Sequence, residues 1–173
     1  MKLYTKRLKL IPLTENNLEE SLENLKKFYN SENLISTNKK LSDLMQKIYQ
    51  IKLINIKNDP ENYLFYTYWL IVKKNKNQVV GRIGFKDKPD NKKSCEVGYG
   101  IKKEFQSKGY MTEALKRFLI WAFDQDINSI IKIIAKTNQN NIPSQKVLKK
   151  VGFKKEYIQD SLVTWIITNN NLQ

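Results

Sequence analysis

Glu96, Gly98 and Gly100 alternate along Glu96-Val97-Gly98-Tyr99-Gly100-Ile101, a stretch that looks like a strand. A side-chain period of two puts these three on one face and Cys95, Val97, Tyr99 and Ile101 on the other. Two glycines beside a carboxylate leave room for a ligand over that face. They also weaken the strand, so a bulge or a parting from its neighbour is expected. A carboxylate in such a place can take a proton from a bound nucleophile. The competing reading is a surface carboxylate paired with a lysine.

The strand runs into Lys102-Lys103-Glu104-Phe105-Gln106-Ser107-Lys108-Gly109-Tyr110-Met111-Thr112-Glu113-Ala114, a short loop and then a helix. The first N–H groups of a helix have no intrahelical acceptor, and the helix dipole adds partial positive charge there. Anions, phosphates above all, use that geometry. Gly109 lets a ligand come close to its backbone. An ordinary strand–helix connection with exposed lysines is the plain alternative.

Other chemistry is scarce. The chain has no histidine, which excludes histidine-based triads, and its single cysteine, Cys95, excludes an internal disulfide framework. Ordinary zinc sites are not expected either. With nothing to activate it, Cys95 reads as a small buried hydrophobe and not as an acyl-carrying nucleophile. Tyr63, Phe65, Tyr66, Tyr68 and Trp69 cluster as candidates to line an acceptor pocket, though packing is their default role. The chain holds 31 Lys and Arg against 17 Asp and Glu, a net charge of +14. The lysines are scattered from end to end, which suits a solvated surface as well as a polyanion-binding one.

The elements that must hold these residues follow from periodicity. At 173 residues and 40% apolar content the chain is read as one domain, 1–173, of α/β class with a real core. No apolar run approaches a membrane span, and the first residues lack the apolar segment of a signal peptide, so a cytoplasmic location is expected. Residues 3–11 read as a strand. Thr14 then caps a helix bearing Leu18, Leu22, Leu25 and Phe28. A second helix is expected over 38–57, with Leu41, Met45, Ile48 and Ile51 inward and Asp59-Pro60 closing it. Strands follow at 68–72, 78–86 and 94–102, then a helix at 109–123 carrying Met111, Leu115, Phe118 and Ala122. A strand at 130–135 leads to a helix capped by Asn141 and ended by Gly152, and strands at 153–159 and 162–168 close the chain.

The order of these parts resembles the GNAT family of N-acetyltransferases. Gln106-x-x-Gly109-x-Met111 is similar to that family's Gln/Arg-x-x-Gly-x-Gly/Ala, with Met111 in place of the small residue. Glu96 upstream, Thr112-Glu113-Ala114 at the helix start, and Asn141-x-x-Ser144 leading to Val151-Gly152-Phe153 resemble its Rim-type branch, which acetylates ribosomal-protein N-termini and other amines. The fold implied is a mixed, mostly antiparallel central sheet with splayed middle strands and flanking helices. The co-substrate implied is acetyl-CoA, with no metal. Its pantetheine arm would pair with the backbone at Tyr99, Gly100 and Ile101. Its pyrophosphate would sit on Gln106, Ser107, Lys108, Gly109, Tyr110, Met111 and Thr112, with Lys103 and Lys108 adding charge. Asn141 would bond the pantetheine, and Ser144 would lie near the sulfur as candidate acid.

Glu96 would deprotonate the acceptor, and backbone N–H groups between Val97 and Ile101 would meet the oxyanion. Many relatives place a tyrosine as acid four residues before the Gly of Gly-Phe, and this chain has Leu148 there. That departure leaves Ser144, a water, or unaided departure of the thiolate. The expected activity is acetyl transfer from acetyl-CoA to a primary amine by direct attack in a ternary complex. The amine would belong to a protein N-terminus, such as a ribosomal protein's, or to a small molecule such as a polyamine or antibiotic. Relatives are often homodimers. Two alternatives stand beside this one: a basic RNA- or ribosome-binding module, and a catalytically silent acyl-CoA-binding regulator of the same fold.

Overall fold

The computed structural model describes residues 1–37, 40–124 and 130–171. Eight strands form one sheet in the order β1-β2-β3-β4-β5-β6-β8-β7. They are β1 (Leu3–Tyr4), β2 (Leu8–Pro12), β3 (Trp69–Lys73), β4 (Gln78–Phe85), β5 (Ser94–Ile101), β6 (Lys132–Asn138), β7 (Lys154–Gln159) and β8 (Leu162–Thr168). Neighbours pair antiparallel except β5 and β6, which run parallel. The helices are α1 (Glu15–Ser31), α2 (Asp43–Asn58), the short α3 (Tyr63–Tyr66), α4 (Tyr110–Phe123) and α5 (Ile142–Val151). The mixed α/β fold with a mostly antiparallel sheet is therefore as expected.

Two cores lie on opposite faces of the sheet. On one, α4 and α5 bring Leu115, Phe118, Leu148 and Val151 against Trp69, Ile83, Val97 and Trp165. On the other, α1 and α2 bring Leu18, Leu25, Phe28 and Met45 against Leu70, Val72 and Val79. Phe118 is fully buried among Trp69, Phe85 and Trp121. Truncating it to alanine is expected to cost ~3–5 kcal/mol.

Boundaries differ from expectation most at three elements. Residues 3–11 are two strands, because Thr5 turns the chain: its N–H donates to Leu8 O (3.0 Å) and its hydroxyl accepts from Leu8 N (2.8 Å). The second helix starts at Asp43, since the Ser42 hydroxyl accepts from Met45 N. Residues 38 and 39 of the expected range lie outside the described residues. The sixth strand begins at Lys132, where pairing with both β5 and β8 begins, and not at Ile130.

The inner face of α2 also differs. Met45, Tyr49, Lys52 and Ile56 are buried, whereas Ile51 is 57% exposed. Lys52 is only 4% exposed, and its ammonium donates to Tyr66 O (2.5 Å) and Phe85 O (2.9 Å) above the Tyr68 ring. Those bonds satisfy a polar head whose burial would otherwise be costly. Apolar periodicity does not foresee a lysine on an inner face.

Candidate active site

The centre of the sheet opens at Glu96. Register between β5 and β6 runs Ser94–Lys132, Cys95–Ile133 and Glu96–Ile134, and stops there. From Val97 to Ile101, β5 keeps its pairing with β4 alone. Lys86 N donates to Glu96 O, and Lys102 N to Val80 O. By the alternation of an antiparallel ladder, the even-numbered residues between them also bond β4. The N–H and C=O groups of Val97, Tyr99 and Ile101 therefore turn toward the gap. β6 does not follow β5, because its whole length is matched to β8. A side chain added at Gly98 or Gly100 would meet nothing within 4 Å, so the open face over β5 is real.

A cavity of about 650 Å³ lies on the α4/α5 side of this gap. Its wall includes Tyr99, Gly100, Ile101, Gln106, Ser107, Gly109, Tyr110, Met111, Thr112, Asn141 and Ser144, so most of the residues expected to bind a co-substrate come together. Met111 is 5% exposed and serves both this wall and the core. Two expected residues do not join it. Lys103 is absent from the wall, and Lys108 is turned back to donate from Nζ to Glu104 O (2.8 Å). The cations at the cavity are instead Lys146 and Lys150, one helical turn apart on α5.

The loop itself is built for main-chain donors. Ser107 and Gly109 take positive φ, 59° and 75°. Among the described residues, the N–H groups from Ser107 to Thr112 have no acceptor. Gly109 is the α4 N-cap and supplies no side-chain cap, so the helix end stays available to an anion.

Arg7, which sequence reasoning missed, organises the loop from outside. Its Nη1 donates to Lys108 O (3.0 Å), its Nε and backbone N donate to Glu113 (2.6 and 2.9 Å), and its guanidinium covers the Tyr110 ring. Thr5 also donates to Glu113 (2.6 Å). Burial pushes the Glu113 carboxyl up, but these donors and the Arg7 charge more than offset it, and the net shift is downward. Glu113 at the helix start was the available signal.

Across the cavity, Asn141 accepts from Ser144 N (3.2 Å), as a cap should. The Ser144 hydroxyl lies 2.9 Å from the Tyr99 hydroxyl, which also donates to Ser144 O (3.3 Å). Burial pushes the Tyr99 phenol up to about 12, against the lowering effect of Ser144. Leu148 is fully buried, so that position offers no polar group to the cavity. The pairing of Tyr99 with Ser144 was not legible in sequence, since 45 residues separate them.

Glu96 is half-buried and points to the other face. Its carboxylate pairs with Lys86 and, at 3.5 Å, with Lys136. Cys95 is buried, and that burial raises its thiol to about 12, which suits a core residue. Phe65, Tyr66 and Trp69 are core, while Tyr68 is half-buried under Arg82. On the Glu96 side, a second cavity of about 210 Å³ is bounded by Tyr29, Tyr49, Arg82 and Lys102 and shares Gly100 and Ile101 with the first. One strand thus has a separate cavity on each face.

Known proteins share this fold. The family model described as acetyltransferase (GNAT) domain matches residues 7–154. An uncharacterized N-acetyltransferase of Bacillus subtilis, YjdG, is 31% identical over 125 residues, 72% of each chain. The ribosomal-protein-S5-alanine acetyltransferase of Vibrio fischeri superposes with a TM-score of 0.69 at 19% identity, covering 100% of this chain and 99% of that one. A RimL ribosomal L7/L12 alpha-N-protein acetyltransferase in complex with coenzyme A gives 0.67 at 14% identity, covering 97% and 98%. At these identities the two structures are evidence of shared fold.

Proposed function

The chain belongs to the GNAT family of acetyl-CoA-dependent N-acetyltransferases, and from that premise we propose that it acetylates a primary amine held over Glu96 and Gly98. The observation that carries this reading is the parting of β5 from β6 directly after Glu96, with a cavity on either face of the freed strand. Acetyl-CoA fits the larger one: the unpartnered N–H groups of 107–112 receive its pyrophosphate, and Lys146 and Lys150 add charge. Val97, Tyr99 and Ile101 offer main-chain groups to the pantetheine arm.

The acceptor arrives as an ammonium ion. Glu96 takes its proton, directly or through a water, while the ammonium competes with Lys86 and Lys136 for the carboxylate. The freed nitrogen attacks the thioester carbonyl. The C–N bond forms, N–H groups of the splayed strand meet the oxyanion, the nitrogen gives its second proton to water, and the C–S bond then breaks. The sulfur leaves as thiolate toward Ser144 and Tyr99. A phenol at about 12 is a weaker acid than an ordinary thiol at ~8.5, so this pair serves the leaving sulfur as hydrogen-bond donor and not as proton source.

For the acceptor, the Rim-type resemblance and the names of the structural neighbours favour a protein N-terminus, and with it a cytoplasmic location. The test is a thermal midpoint with and without acetyl-CoA, followed by thiol release with a panel of peptide N-termini. At ~100 times its dissociation constant, acetyl-CoA should add ~2.7 kcal/mol of stability. A shift that tolerates salt, together with turnover, supports the reading. No shift with acetyl-CoA, beside a salt-sensitive shift with a short RNA, would overturn it.

A further inference from the structure

We infer that the acceptor carries a carboxylate close to its amine, and that Arg82 and Lys102 receive that carboxylate in the smaller cavity. The inference rests on the acetyltransferase reading and adds the acceptor's chemistry to it.

Strand register sets the geometry. Arg82 lies directly across from Gly100, and Gly84 across from Gly98, so the open glycine floor has Glu96 at one end and Arg82 with Lys102 at the other. Among the described residues, no carboxylate bounds the cavity and neither cation forms an ion pair. Arg82 is half-buried, its guanidinium lies 5.6 Å from the centre of the Tyr68 ring, and its charge opposes the burial that raises the Tyr68 phenol. Lys102 donates to Ser36 Oγ (2.8 Å) and Thr37 Oγ1 (3.3 Å). Burial lowers its pKa and the Arg82 charge lowers it further, while Glu104, occupied in accepting from Thr37, opposes both.

Two half-buried cations beside tyrosine hydroxyls form a site that an anion completes. With a strand rise of ~3.3 Å per residue, Gly98 and Gly100 are ~7 Å apart. An amine over Gly98 thus reaches Glu96 while a carboxylate a few bonds away reaches Arg82. A polyamine would set a second cation against Arg82 and Lys102, so this chemistry disfavours it.

The test measures thiol release with matched acceptors. Glu-Ala-Ala-amide against Gln-Ala-Ala-amide probes an acidic peptide N-terminus; glutamine against glutaminamide probes a free amino acid. The carboxylate member of at least one pair should have roughly tenfold higher kcat/KM, and the responding pair identifies the source. Arg82→Gln and Lys102→Gln should each remove most of that preference, and Lys102→Glu should turn it toward spermidine. Equal rates within both pairs, or a preference untouched in both glutamine variants, overturns the inference. A turnover-free arm separates it from the parent reading: calorimetry of the CoA-loaded protein with glutarate. Acetyl-CoA binding without any glutarate binding sinks the inference alone. Glutarate binding that is lost in Arg82→Gln or Lys102→Gln supports it even where no acceptor turns over.

Discussion

The Tyr99 and Ser144 hydroxyls stand 2.9 Å apart, joining the freed strand to the first turn of α5 across the larger cavity. If the pair acts as one donor to the leaving sulfur, Tyr99→Phe and Ser144→Ala should each lower kcat about tenfold, or ~1.4 kcal/mol, with acetyl-CoA affinity little changed. The double variant should lose little more than either single one, because each removal already breaks the same unit. Steady-state rates for the four proteins check this; additive losses would mean two independent roles.

Glu96→Gln should lower kcat/KM by ~10²–10⁴ with an alkyl amine acceptor. The loss should shrink with an acceptor that is already unprotonated at the assay pH, such as a hydrazide, since there is no proton to take. A loss of the same size with both acceptors would make Glu96 a structural anchor for Lys86 and Lys136.

Removing the Arg7 guanidinium should loosen the anion loop. Arg7→Gln is expected to weaken acetyl-CoA several-fold in a direct binding titration. Glu113, its partner, has a folded pKa below its ordinary value, so its stabilising contribution is present above the unfolded pKa and fades as pH falls through the folded one. Melting curves between pH 6 and pH 3 should therefore drop less steeply in Glu113→Gln than in the parent.

Lys52 gives the same sign of pH dependence in a higher window and from a different cause. Burial holds its pKa down at about 8, with Asp87 opposing, against 10.5 for the unfolded chain. Between those values the unfolded state binds more protons, so stability should rise as pH is raised from 7.5 to 9.5. The full effect is on the order of 3 kcal/mol, about half of it inside that window. Lys52→Met should flatten the rise. The window stops short of the region where Tyr29 and Tyr49, whose burial raises their phenols, would reverse the trend.

Much of this was legible in the chain. Local rules carried α4 and α5: Asn141 caps, Gly152 takes φ 103° beyond the last turn, and the stripe from Met111 to Ala122 is buried. Alternation assigned Glu96 and its glycines to the correct face, and the glycines foretold the parting of strands. Long-range partners were not legible. Arg7 meets Glu113, Tyr99 meets Ser144, and Arg82 meets Gly100 only through the order and register of the sheet. Lys103 and Lys108 were favoured by nearness in sequence, yet Lys146 and Lys150 reach the cavity because α5 packs against α4.

The gap beyond Glu96 also bears on solubility. Val97 and Tyr99, with the Ile101 N–H, present a β-edge that no strand among the described residues pairs, in the interior of the sheet rather than at its rim. Such an edge templates pairing with any extended chain, including another copy of this one. In the binding mode proposed above, the pantetheine arm would lie along it as a removable strand. Protein stripped of acetyl-CoA should therefore aggregate sooner on warming than its added thermodynamic stability alone accounts for, because binding both stabilises the native state and hides its stickiest surface.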